Sequence, residues 1–226
     1  MTGLPAAAEL KGWELTPRTD YLTISPAECA ALMSARPPGK SGGDRLFVAR
    51  TKDGGRTFAF DAWIVGPDDP HRAVMSSTVR LNEKDWVCAV RRRTPAKDES
   101  WIDAYATADG GRRWSHAARV ADTGAFNGNP PALARLADGR LCCAYGERNT
   151  RQMRARLSDD AGRTWGDELV LRNDYRPDKF GDADFGYPRM VPRADGRVVT
   201  VYYWADPERP EPHIVATLWT PPDGKK

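Results

Sequence analysis

Three copies of one eight-residue turn constrain this chain more than any other feature. They read Thr51-Lys-Asp-Gly-Gly-Arg-Thr-Phe58, Thr107-Ala-Asp-Gly-Gly-Arg-Arg-Trp114 and Ser158-Asp-Asp-Ala-Gly-Arg-Thr-Trp165, and they recur at intervals of about fifty residues. The carboxylates of Asp53, Asp109 and Asp160 are expected to accept backbone N–H groups within their own turns. Gly55, Gly111 and Gly162 supply the positive φ that such a turn needs. Phe58, Trp114 and Trp165 then give each turn a large apolar anchor beneath the hairpin.

A second repeat runs out of phase with the first. VMSSTVRLNEKDWVCAVRRR, GNPPALARLADGRLCCAYGER and FGYPRMVPRADGRVVTVYYWA each read as strand, tight polar turn, strand. Asp138-Gly139 and Asp195-Gly196 are strong hairpin signals. In the first copy Asn82-Glu83-Lys84-Asp85 takes their place, which predicts a longer or different turn there.

In phase, the two repeats give a four-stranded antiparallel unit of about fifty residues, the signature of a propeller blade. In the third unit the strands fall at about 131–136, 140–147, 152–157 and 168–172, with the turn motif joining the last two. The whole chain then divides into a lead-in over 1–19, blades at about 20–66, 72–121, 126–173 and 180–219, and a tail over 220–226. The fourth unit has no turn motif of its own. An open set of blades leaves apolar faces uncovered, so self-association is expected.

Composition agrees with short strands and tight turns: 20 Gly, 18 Pro and 8 Trp leave little room for helices. A net charge of +3 is too small to mark nucleic acid or an anionic membrane as a partner. No apolar run approaches the ~20 residues of a membrane span. The start, MTGLPAAAELKGWEL, lacks the pattern of a secretory signal, so a cytoplasmic location is expected. Cys29, Cys88, Cys142 and Cys143 include no CxxC pair and read as small buried side chains; Cys142 and Cys143, being adjacent, would face opposite sides of a strand. His71, His116 and His213 form no metal or triad pattern. Neither a metal nor a cofactor is expected.

The turn motifs with their interleaved hairpins, and more narrowly NPPALARLADGRLCCAYGER, RARLSDDAGRTWGDELVLR and DFGYPRMVPRADGRVVTVYYW, resemble the sialidase superfamily of Asp-box, or BNR-repeat, propellers. The resemblance covers about residues 20–219. It implies an all-β propeller of sialidase type, with about four blades of a six-bladed ring in this chain. It also implies a glycoside hydrolase acting on an acidic sugar, built on a tyrosine nucleophile with a glutamate activator, an aspartic acid–base and a clamp of arginines.

Carried over residue by residue, the resemblance makes Tyr187 the nucleophile and Arg91 a clamp arginine. The activating glutamate would stand at Met75-Ser76-Ser77, where none is present, leaving Glu147 as its substitute. Asp20 is the candidate acid–base. Arg148, Arg189 and Asn129 complete the expected substrate contacts at the mouths of the inner strands. The turn motifs lie on the outer part of each blade and are not expected to be catalytic. A second interpretation stays open, a non-catalytic propeller that binds glycans or another protein through its funnel; the missing glutamate favours it.

Overall fold

The computed structural model describes residues 7–39, 42–125, 127–176 and 184–224. After a short 3-10 turn at Ala8–Leu10, the described residues form fifteen strands in four antiparallel sheets. The first sheet holds β1 (Glu14–Thr23), β2 (Cys29–Arg36), β3 (Arg45–Thr51) and β4 (Ala59–Val65). The second holds β5 (Arg72–Arg80), β6 (Trp86–Arg93), β7 (Ser100–Thr107) and β8 (Ser115–Gly124). β9 (Ala132–Arg135), β10 (Leu141–Glu147), β11 (Gln152–Ser158) and β12 (Leu169–Arg172) make the third. The last has three strands, β13 (Gly186–Pro192), β14 (Val198–Trp204) and β15 (His213–Trp219).

Within each sheet the strands follow chain order, so every connection is a hairpin. The first strands of successive sheets, β1, β5, β9 and β13, pack against one another along one line. This is a propeller-like arrangement, and its axis runs beside those four strands. The core lies between sheets. Leu32, Leu46, Val48 and Ile64 of the first meet Trp86, Cys88 and Val90 of the second; Val87, Ala89 and Ile102 then meet Leu141, Cys143 and Tyr145 of the third. Cys142 faces the other way, toward Val198 and Met190 of the fourth, as the alternation of a strand demands. Each large side chain so buried contributes about 1.5–3 kcal/mol. All four cysteines are free thiols.

The three turn motifs share one bonding pattern. Asp53 Oδ1 accepts from the backbone N–H groups of Arg56 and Thr57, each at 3.0 Å, while the Thr51 hydroxyl donates to it at 2.8 Å. Asp109 does the same with Arg112, Arg113 and Thr107, and Asp160 accepts from Thr164 N and Ser158 Oγ. The indoles of Trp114 and Trp165 close their turns by donating to Gly111 O and Gly162 O. Each motif joins the third and fourth strands of its sheet, far from the axis. A methyl group at Gly111 would sit 2.6 Å from the Trp86 ring, whereas at Gly55 it would meet nothing within 4 Å.

The 82–85 turn is closed by a side chain. Asn82 Oδ1 accepts from Lys84 N and Asp85 N, both at 2.8 Å, which replaces the glycine of the other hairpins. One boundary differs from the sequence-based expectation. β1 begins at Glu14, inside the stretch read as a lead-in, and Trp13 packs on Trp63 with ring centroids 5.1 Å apart. The described residues give four sheets, and the fourth has three strands where the expected blade has four.

Candidate functional site

The inner strands carry irregularities near the axis that regular strands lack. The β5–β6 register shifts between Val74 and Ser76, and the β13–β14 register between Gly186 and Arg189. The residues thrown out by these bulges, Met75 (φ 54°) and Tyr187 (φ 51°), both have left-handed backbones. For residues with a Cβ this conformation costs about 1–3 kcal/mol and persists only where neighbours enforce it.

Asn129 is the enforcer at Tyr187. Its side chain is 0% exposed. Its Nδ2 donates to Phe185 O at 2.8 Å, and its Oδ1 accepts from Tyr187 N at 2.9 Å. The amide thus reaches from the third sheet and pins the start of β13. Gly186 (φ 102°) presses against this amide so closely that a Cβ would collide with Asn129 Oδ1.

Arg91 lies between the two bulges. It is 3% exposed, donates from Nε to Asn127 O at 2.6 Å, and sets Nη1 3.1 Å from Met75 Sδ. It is also hydrogen-bonded to the Tyr187 side chain. Burial pushes its guanidinium down to about 10, against the pull of Tyr187 and with help from the charges of Arg72 and Arg148. It therefore stays cationic at neutral pH.

Beyond Arg91 the floor of the site is aromatic. Tyr187 is 37% exposed, and its ring lies 5.7 Å from that of Tyr203 at a tilt of 34°. Tyr203 donates its hydroxyl to Asp184 Oδ1 at 2.5 Å. Burial, then the bond to Asp184, raises the Tyr203 phenol, so it remains a donor. Arg148 donates to Gly128 O at 2.9 Å and stands 3.7 Å from the same Asp184 oxygen. The result is a cluster, here called the cup, of two tyrosine rings, two guanidiniums and one exposed carboxylate. Sequence reasoning named Tyr187, Arg91 and Arg148, and the fold brings them together. It gave Asp184 no role, although Asp184 opens the segment DFGYPRMVPRADGRVVTVYYW that carries the resemblance.

The other candidates lie elsewhere. Asp20 is in β1, where burial raises its carboxyl against the opposing effects of Thr78, Tyr21 and Arg189; its Oδ2 has no hydrogen-bond partner. Arg189 is exposed and donates to Pro188 O. Glu147 faces away from the cup. Its oxygens accept from Asn149 N and Thr150 N at 2.9 and 2.8 Å, and it lines a separate cleft of about 520 Å³ with Ser100, Arg154 and Glu168. Asn129 is buried, and both ends of its amide bond backbone groups, Phe185 O and Tyr187 N. Among the described residues no cluster of His, Cys, Asp and Glu could hold a metal.

Residues 31–200 match the BNR repeat-like domain, three quarters of the chain. The chain belongs to that family. No curated protein sequence matches it. Solved structures do. A protein of unknown function from Dyadobacter fermentans is 25% identical over 90% of this chain and 53% of its own, with a TM-score of 0.69. The GH93 α-L-arabinofuranosidase of Fusarium graminearum, solved with arabinobiose, is 16% identical over 97% of this chain and 66% of its own, at 0.69. The α-L-arabinanase of Penicillium chrysogenum, also with arabinobiose, is 18% identical over 92% and 65%, at 0.70. This chain thus spans between half and two thirds of their length.

These findings overturn the expectation of a sialidase-like hydrolase acting on an acidic sugar. Several of the structures that share the fold are α-L-arabinofuranosidases or arabinanases. Among the described residues the side-chain hydrogen bond shown for Tyr187 is with Arg91, not with a glutamate, and Met75 Sδ stands 3.1 Å from that guanidinium. Arg91 is bonded to Asn127 O, to the Tyr187 side chain and, through Nη1, to Met75 Sδ.

Proposed function

We infer that this chain is a carbohydrate-processing propeller of the glycoside hydrolase kind, which seats a neutral sugar in the axial cup. The observation that carries this is the cup itself. The Tyr187 and Tyr203 rings offer apolar faces for the C–H side of a sugar ring, while Arg148 and Asp184 offer a donor and an acceptor to its hydroxyls. The arabinan-active names of the similar structures support a neutral sugar as the ligand class.

Hydrolysis of a glycosidic bond needs two carboxyl groups, one to protonate the leaving oxygen and one to activate water or attack the anomeric carbon. Asp184 is the carboxylate at the rim. A binding-only role is the second reading, favoured because Asp184 is the one carboxylate at the cup among the described residues and is paired with Arg148.

The test is hydrolysis and binding of arabino-oligosaccharides by the wild type and by Asp184→Asn. Asp184→Asn should keep binding and lose turnover by roughly 10²–10⁴-fold. Binding without turnover in the wild type would leave the binding-only role. Neither binding nor turnover would remove the proposal.

A further inference from the structure

A second cleft, of about 850 Å³, opens between the first and second sheets and includes no residue of the cup. Its walls belong to sheets that pack on each other through Leu32, Val48, Trp86 and Val90. Arg36 ends β2, Arg45 opens β3, Arg72 opens β5 and Arg93 ends β6; Lys97 follows in the turn between Thr94 and Glu99. Among the described residues, these five cations line the cleft against two carboxylates, Asp68 and Asp69. Pro67, Pro70 and Pro95 stiffen its rim through their fixed φ.

Most of the nearby carboxylates are engaged already. Asp44 is fully buried and pairs with Arg72 at 2.6 Å. Asp69 Oδ1 turns to Arg92 at 2.6 Å and to His71 N at 2.8 Å, and Asp103 backs Arg92 at 3.4 Å. Glu14 and Asp44 stand 3.5 and 3.6 Å from Arg36, whose Nε has no hydrogen-bond partner. Asp98 and Glu99, which follow Lys97, line the other cleft. Arg45 is 5% exposed, and its fork donates to the carbonyl oxygens of Gly43, Asp44, Asp69 and His71, while its Nε also lacks a partner. Neutral carbonyls fix the position of a guanidinium but do not cancel its charge, and a buried charge calls for a counter-ion.

We propose that this cleft binds a small ligand through a phosphate or sulfate group. A cleft lined mainly by one sign of charge concentrates ions of the other sign. Its volume suits a small molecule carrying the anion more than the bare ion. Arg36, Arg72, Arg93 and Lys97 supply the donors, and Arg45 adds its charge from within the wall. These donors come from separate elements: the end of β2, the start of β5, the end of β6 and the turn after it. A carboxylate is planar and takes one guanidinium fork in its plane. A tetrahedral dianion presents three acceptor oxygens, which can meet donors from several walls at once.

The experiment is calorimetric titration of the intact chain with inorganic phosphate, sulfate and acetate, at constant ionic strength in chloride. Phosphate or sulfate should bind saturably at one site, with acetate at least about tenfold weaker. Whichever dianion binds more tightly tells a phosphate ester from a sulfate ester. Lys97→Gln and Arg36→Gln should each weaken that binding by about threefold or more. Lys52→Gln removes the same charge from the first turn motif and should leave binding unchanged. Lys52 and Lys97 are both exposed, so both lysine variants should melt with the wild type. A crystal soaked in selenate, a sulfate analogue located by its anomalous scattering, gives a test that needs no variant: the ion should lie within hydrogen-bond reach of Arg72 and Arg93. Absence of saturable binding by either dianion overturns the proposal. So does acetate binding equally well, an equal loss in Lys52→Gln, or selenate found only outside the cleft.

Discussion

Asn129→Ala is the most informative single change in the cup. The substitution deletes the donor to Phe185 O and the acceptor for Tyr187 N, and it does so where the side chain is 0% exposed. Each buried backbone group left without a partner costs about 1–3 kcal/mol. Some of that is recovered, because the polar amide no longer has to be desolvated. A net loss of about 2–4 kcal/mol follows, which for a chain of this size lowers Tm by roughly 5–15 °C. The left-handed backbone of Tyr187 also loses its enforcer, so the ring leaves its place beside Tyr203. Chemical denaturation followed by tryptophan fluorescence measures the first effect, and sugar affinity the second. Asn129→Asp is the control: it keeps an oxygen for Tyr187 N but sets an acceptor against Phe185 O, so it should fall near the alanine variant. A loss under about 0.5 kcal/mol for Asn129→Ala would refute the idea that this amide holds β13 in place.

Three further outcomes follow from other parts of the fold. Gly111→Ala and Gly55→Ala both put a Cβ on a left-handed backbone, but only the first drives it into Trp86, so Gly111→Ala should be clearly the more destabilising in thermal unfolding. Hydrogen bonds hold the Asp53 and Asp109 carboxyls well below the usual range, led by Thr57 for the first and Arg113 for the second. Their folded-state pKa values lie under the unfolded ~3.9, so the stability they contribute is present above about pH 4 and is lost as pH falls further; acid titration of unfolding should show this. Asp20 has the opposite sign: its raised carboxyl makes the fold favour the protonated form, so stability falls as pH rises through its titration. Asp20→Asn should therefore gain more stability at pH 7 than at pH 4, and equal effects at both would contradict the assignment.

The repeat was legible in the sequence because each of its residues has a local cause. Asp53, Asp109 and Asp160 bond within their own turns, and Trp114 and Trp165 cap those turns with their indoles. Local rules do not need the tertiary fold, so the strands of the third sheet fell within a residue or two of the pattern. The site was less legible. Glu147 and Arg148 are neighbours in sequence, yet strand alternation sends one into the cleft beside Ser100 and the other to Asp184. Asn129 looked like a surface contact because nothing in its own sequence context reveals that Phe185 and Tyr187, more than fifty residues on, are its partners. The bulges at Met75 and Tyr187 were hidden for the same reason, since a register shift belongs to a pair of strands.

A crystal of the intact chain soaked with arabinobiose tests the central claim most directly. The sugar should lie against Tyr187 and Tyr203, with hydroxyls on Asp184 and Arg148. Density for it in the cleft lined by Ser100, Glu147 and Glu168, with an empty cup, would contradict the axial site.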